Sequence, residues 1–99
     1  MTNEPTTFEE AVRRTASEIA ELVISKQADY GHDNITKFGE QGLAVRIWDK
    51  AARLRNLVWK SKTPENETVE DTFTDLAGYG ILGVMYGRGW FILELEADK

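Results

Sequence analysis

From Leu76 to Met85 the chain reads LAGYGILGVM, a stretch with no charged side chain. The spacing predicts a helix from about Glu67 to at least Tyr86, and a helix that is apolar on every side has to be buried on every side. Two further helices in a chain of 99 residues do not easily cover such a rod. The expected fold is therefore all-α, a bundle of three to four helices completed by homo-oligomerisation, as a dimer or a tetramer. Gly78, Gly80, Gly83 and Gly87 each weaken a helix by about 1 kcal/mol relative to alanine. They point to close backbone approach across a helix interface, or else to a kinked helix. Residues 90–95 (WFILEL) either prolong this helix or form a separate packing arm.

Two earlier segments carry helical periodicity. From Thr7 to about Ala28, Phe8, Val12, Ile19, Leu22 and Val23 recur at three- and four-residue spacing, with Thr7 and Glu10 placed for a capping box. From Leu43 to about Lys60, Leu43, Ile47, Ala51, Leu54 and Val58 form one stripe, and Arg46, Asp49, Arg53, Asn56 and Lys60 the opposite side. Between these helices, DYGHDNITKFGEQG (29–42) is turn chemistry and is predicted to be a long loop of the kind that often binds substrate. His32 within it is expected to be exposed. Thr63, Asn66 or Thr68 is placed to cap the third helix. The whole is read as one domain over residues 1–99, with 1–6 a polar lead-in.

Charge narrows the function. A formal net charge of −5 argues against duplex DNA as a partner, because that binding rests on neutralising phosphates. No run approaches the ~18 apolar residues of a membrane span, and the N-terminus lacks a signal-peptide layout, so a cytoplasmic protein is expected. Without cysteine and with only His32, a metal would have to be held by carboxylate oxygens, and covalent catalysis is disfavoured. Seven of the twelve basic residues lie between positions 37 and 62, and Glu65, Glu67, Glu70, Asp71 and Asp75 follow closely.

Within that segregated charge, Asp71 and Asp75 are four apart on one helix and stack one turn above the other. Like charges at this spacing repel, which makes sense when a cation sits between them. The alternative for Glu67, Glu70 and Asp71 is that they favour the positive end of the helix dipole. Arg46, Asp49 and Arg53, with Lys50 beside them, are either a solvated ion-pair ladder or a phosphate grip in which Asp49 adds a metal oxygen. Lys26 falls on the apolar face of the first helix, so its stem either snorkels out or its ammonium enters a polar site. Tyr30, Asn34, Phe38 and Trp48 are placed to stack on or hydrogen-bond to a base, although aromatics serve more often as core.

The segments KQADYGHDN (26–34), FGEQGLAVRIWDKAARLRNL (38–57) and VEDTFTDLAGYGIL (69–82) resemble the phage-associated nucleotide modification associated domain family. Its pattern runs as a Lys, a Tyr-Gly and an Asn, then Phe-Gly and Arg-Ile-x-Asp-Lys, then Asp-Thr-x-x-Asp-Leu-Ala-x-Tyr. That family in turn resembles the all-α nucleoside triphosphate pyrophosphohydrolases of the MazG and dimeric dUTPase group, in which carboxylates from two helices bind Mg²⁺ and water releases pyrophosphate. The resemblance implies a MazG-like bundle in a phage protein of the host cytoplasm, with Asp49, Asp71 and Asp75 on Mg²⁺ (or Mn²⁺) and Glu70 as a further catalytic carboxylate. It departs from the group in spacing its acidic pair by four rather than three and in reducing a Glu-Glu-x-x-Glu cluster to Asp49. On this reading Lys26, Arg46, Lys50 and Arg53 hold phosphates, and Tyr30, Asn34 and Trp48 the base. The expected activity is Mg²⁺-dependent hydrolysis of a (deoxy)nucleoside triphosphate to monophosphate and pyrophosphate. Its rivals are a non-catalytic nucleotide-binding or adaptor subunit and a purely structural helical oligomer.

Overall fold

The computed structural model describes residues 3–65 and 67–98, with the side chain of Asn34 left out. Asn66, singled out above as a cap, therefore lies outside the described residues, and so does the Asn34 side chain expected to contact a base.

Helix α1 (Phe8–Tyr30) starts at Thr7, whose Oγ1 accepts the Glu10 N–H at 3.1 Å. The return half of the expected box is displaced by one residue, because the Glu10 carboxylate accepts from the Thr6 N–H at 2.9 Å. At its other end Gly31, with φ of 73°, donates its N–H to the Gln27 carbonyl, a left-handed stop that glycine makes without strain.

The long loop expected over 29–42 is not formed. Helix α1 takes in Asp29 and Tyr30, a single-turn helix α2 spans Asp33–Thr36, and α3 (Gly39–Leu54) already begins at Gly39. The reason is Ile35, which is buried with Leu43 and Phe91 in the one apolar cluster among the described residues, against which Tyr79, Leu82 and Tyr86 pack. Burying an isoleucine outweighs the local turn preference of its neighbours. His32 is likewise not exposed but half-buried, edge-on to Phe91 with ring centroids 5.6 Å apart.

Helix α3 also turns a different face inward from the one its apolar spacing predicts. Leu43 is buried and Leu54 half-buried, yet Ile47, Ala51 and Val58 are exposed, and Arg46, Lys50 and Arg53 are the residues partly covered. The inward face is rotated by about 70° from the predicted stripe. Acidic partners on the neighbouring helix account for this, since paired cations with long aliphatic stems pack where a purely apolar stripe was expected. One π-type turn, Arg55–Trp59, closes the helix and carries Leu57 into the interior.

Helix α4 (Val69–Gly87) is capped by Thr68 in a complete box: Thr68 Oγ1 accepts the Asp71 N–H at 3.0 Å and the Asp71 carboxylate accepts the Thr68 N–H at 3.1 Å. Its glycines do not break it. It is the central element, packed on α3 along one side and on α1 along the other. After Gly87 the chain turns back, with the Trp90 N–H on the Met85 carbonyl at 2.9 Å, and Phe91 plugs the core. Residues 90–95 are thus a packing arm. The result is an all-α, three-helix arrangement with no strand among the described residues, and no described helix is long and apolar enough to cross a membrane.

Candidate functional site

Asp75 lies one turn beyond the capped start of α4, on the side that faces α1 and α3. Two ammonium groups converge on it: Lys26 Nζ from α1 stands 3.0 Å from Oδ1, and Lys50 Nζ from α3 stands 3.0 Å from Oδ2. Lys50 also bridges to Glu67 Oε1 at 2.6 Å, and Arg53 Nε stands 3.4 Å from that same oxygen. Arg53 is anchored further by the Thr72 hydroxyl, 3.2 Å from Nε, and by the Glu67 carbonyl. Thr72 is completely buried. These groups tie the three long helices together through polar contacts beside a small apolar core.

The side chain of Asp75 is only 13% exposed. Burial by itself would raise its pKa, but the hydrogen bonds from Lys50 and Lys26 outweigh that and hold the carboxyl below the usual aspartate value. Lys50 moves the opposite way: its hydrogen bond to Glu67 raises it above the ordinary lysine value against the cost of burial, and Asp75 adds to the effect. Asp75 and Lys50 therefore both stay charged at neutral pH.

A cleft of about 190 Å³ opens above the Asp75 pair, lined by Lys26, Tyr30 and Arg46 together with apolar side chains of α1 and α4. Small-molecule sites usually measure about 300–1,000 Å³, so this space is smaller than most of them. Tyr30 stands exposed at its mouth. Of the residues expected to bind phosphate, Lys26 and Arg46 line this cleft, Lys50 reaches its edge through Asp75, and Arg53 lies away from it, against Glu67 and Thr72. The carboxylates do not gather as expected. Asp71 is an exposed member of the α4 cap, Glu70 is exposed in the first turn of that helix, and Asp49 is exposed on the flank of α3. Trp48 is 77% exposed and sits about 160° around α3 from Lys50, outside the cleft.

Glu67 and Thr72 were not among the expected site residues. A signal for Glu67 lies in the cap: once Thr68 caps α4, Glu67 precedes the helix and its side chain and carbonyl are released to meet α3. Thr72 is the threonine of the Asp-Thr-x-x-Asp pattern, but spacing gives it no role, which depends on where Arg53 arrives.

Mg²⁺ takes hard oxygen ligands in near-octahedral array. Both oxygens of Asp75 face ammonium groups, Glu67 Oε1 is shared by Lys50 and Arg53, and Asp71 serves the cap. Among the described residues no group of three or more His, Cys, Asp or Glu side chains is placed to hold a metal ion. In this arrangement the donor set does not fit a divalent cation.

The model of the family described as nucleotide modification associated domain 1 matches residues 26–86, which begins at Lys26 and takes in Lys50, Glu67 and Asp75. The chain belongs to that family. No curated protein and no solved structure matches it. The matched span contains every charged residue of the Asp75 network.

Proposed function

We propose that this nucleotide modification associated domain binds a nucleotide by its phosphates in the cleft between α1, α3 and α4. The observation that carries the reading is the convergence of Lys26 and Lys50 on Asp75, at 3.0 Å each, in a chain whose overall charge is negative. Each ammonium has three N–H donors, and the bond from Lys26 to Asp75 uses one. The remaining donors of Lys26, with the Arg46 guanidinium across the cleft, are suited to phosphate oxygens. Tyr30 at the mouth stacks on the base, which projects outward because the cleft has no room for it. Asp75 holds the lysines in place while the site is empty.

A titration of the chain with a panel of ribo- and deoxynucleoside triphosphates, followed by melting temperature and by calorimetry, tests this. Lys26→Ala and Lys50→Ala should each weaken binding at least about tenfold, corresponding to ~1.4 kcal/mol. If no nucleotide raises the melting temperature at millimolar concentration, the reading is wrong.

A hydrolytic reading is favoured by the ionised Asp75 inside the cleft, together with the likeness to the all-α pyrophosphohydrolases. On this reading the chain is a Mg²⁺- or Mn²⁺-dependent nucleoside triphosphate pyrophosphohydrolase of phage nucleotide metabolism. It requires the two lysines to leave Asp75 for the phosphates, freeing that carboxylate. Pyrophosphate release with Mg²⁺ or Mn²⁺, abolished by Asp75→Asn, distinguishes it from a non-catalytic subunit, which would bind nucleotide without turnover.

A further inference from the structure

The outer side of α3 carries an aromatic and cationic strip that the fold does not use. Trp48 and Trp59 are 77% and 80% exposed, although tryptophan is on average a well-buried residue. Trp48 is also the base contact expected from sequence that lies outside the cleft. Beside it opens a groove of about 430 Å³, lined by Trp48, Ala51, Ala52, Arg55, Asn56 and Lys60, a volume within the usual range of about 300–1,000 Å³ for small-molecule sites. Trp48 and Arg55 are two helical turns apart, so they fall within ~20° of one another and ~10 Å apart along the axis. The two alanines between them keep the floor of the groove low. Arg55 in turn stands over Trp59, with its guanidinium carbon 5.9 Å from the ring centroid.

These groups share one chemistry. An indole and a guanidinium both offer planar faces on which an unpaired nucleobase stacks, Asn56 supplies a donor and an acceptor for a base edge, and Arg55 and Lys60 suit phosphate oxygens. Charge agrees with this, because the net −5 of the chain is not spread evenly. From Trp48 to Lys62 there are five cations and one acid, Asp49. Lys50 and Arg53 turn inward to Glu67, which leaves Arg55, Lys60 and Lys62 exposed, and among the described residues no acidic side chain lines the groove. An apolar partner surface would cover the indoles and leave Arg55, Asn56 and Lys60 unmatched. A duplex would match the cations but keeps its base faces stacked on one another, out of reach of the indoles.

We infer that this groove takes a segment of single-stranded nucleic acid, with an unpaired base on Trp48 beside Arg55 and the adjoining phosphates on Arg55 and Lys60. Trp59 offers the next stacking platform along the strand. Because Trp48 and Lys50 point about 160° apart around α3, the groove is separate from the cleft. The inference therefore stands whether or not the cleft binds a nucleotide.

The test titrates the full chain with oligothymidylate and oligouridylate of about twelve nucleotides, each with a free 5′-hydroxyl, followed by anisotropy of a 3′-fluorescein label and by quenching of tryptophan fluorescence. Saturable binding of either strand is expected, weakening roughly sevenfold between about 50 and 200 mM salt for about two neutralised phosphates; the tighter of the two names the natural strand. Trp48→Ala should weaken binding at least about fivefold, the lower bound for one stacked base, and Arg55→Glu should weaken it and flatten the salt dependence. Both side chains are exposed, so circular dichroism of the variants should match the wild type. Absence of saturable binding to both strands overturns the inference, as does equal affinity for a blunt duplex of the same length or wild-type affinity in Trp48→Ala and Arg55→Glu. Lys26→Ala should bind the strand as the wild type does; a loss equal to that in Trp48→Ala would put the strand in the cleft and overturn the groove. Vesicles of equal parts phosphatidylserine and phosphatidylcholine should leave the tryptophan emission unchanged, and a shift with vesicles but with neither strand would make the strip a lipid contact instead.

Discussion

Lys26 Nζ and Asp75 Oδ1 stand 3.0 Å apart across 49 positions of sequence, and this bond joins the C-terminal end of α1 to α4. Lys26 is half exposed, whereas Asp75 is nearly enclosed, so the two ends of the bond differ in what they contribute. Loss of the lysine leaves Asp75 its bond to Lys50. Loss of the aspartate leaves two cations facing each other.

Lys26→Ala should therefore cost no more than about 1 kcal/mol of stability, and Asp75→Ala about 1–3 kcal/mol. Urea unfolding of the two variants at neutral pH checks the order. Equal losses would mean that Lys50 and Glu67 hold α4 without help from Asp75.

The same network makes stability depend on pH in a stated direction. Asp75 is held below its ordinary 3.8 in the folded chain, so its contribution is present above that value and is lost as pH falls through the lower folded one. Lys50 is raised above 10.5; its contribution is present below that value and is lost as pH rises through the higher folded one. Urea midpoints of the wild type should fall more steeply below pH 3.8 than those of Asp75→Asn. Parallel acid limbs would remove Asp75 from the account.

Asp71 offers a clean separation of helix capping from chemistry. Its carboxylate accepts the Thr68 N–H at 3.1 Å, so Asp71→Ala and Thr68→Ala should each cost about 0.5–2 kcal/mol and leave nucleotide affinity unchanged. A loss of binding or turnover in Asp71→Ala without loss of stability would return this residue to the site.

Phe91 fills the core from the C-terminal arm and is 4% exposed. Phe91→Ala should cost about 3–5 kcal/mol, measured by thermal unfolding, and should loosen His32, whose ring packs on it. A cost below about 1 kcal/mol would mean that the arm does not anchor the bundle.

What could be read in advance follows the range of each interaction. Helix periods, the Thr7 cap and Thr68 as a candidate cap depend on residues three or four apart, and all are found in the structure. The cations of α3 are legible as a group because Arg46, Lys50 and Arg53 recur on one helix. Their inward orientation was not legible, because the apolar spacing of Ile47, Ala51 and Val58 offered a rival face that looked equally suitable for burial. Stacking also paired Asp71 with Asp75, whereas the structure separates them in role: one starts the helix and the other meets Lys26 and Lys50.

Sequence alone determined that this chain is helical and where its caps stand, because both follow from periodicity and local hydrogen bonding. Tertiary structure decided that α2 replaces a loop, that 90–95 folds back as an arm, and that Asp75 rather than Asp71 faces the lysines. Those outcomes depend on which distant side chains compete for the same buried volume. Burial energy accrues only when the helices meet, so no local pattern could rank Ile35 above its turn-forming neighbours or Lys50 above Ile47.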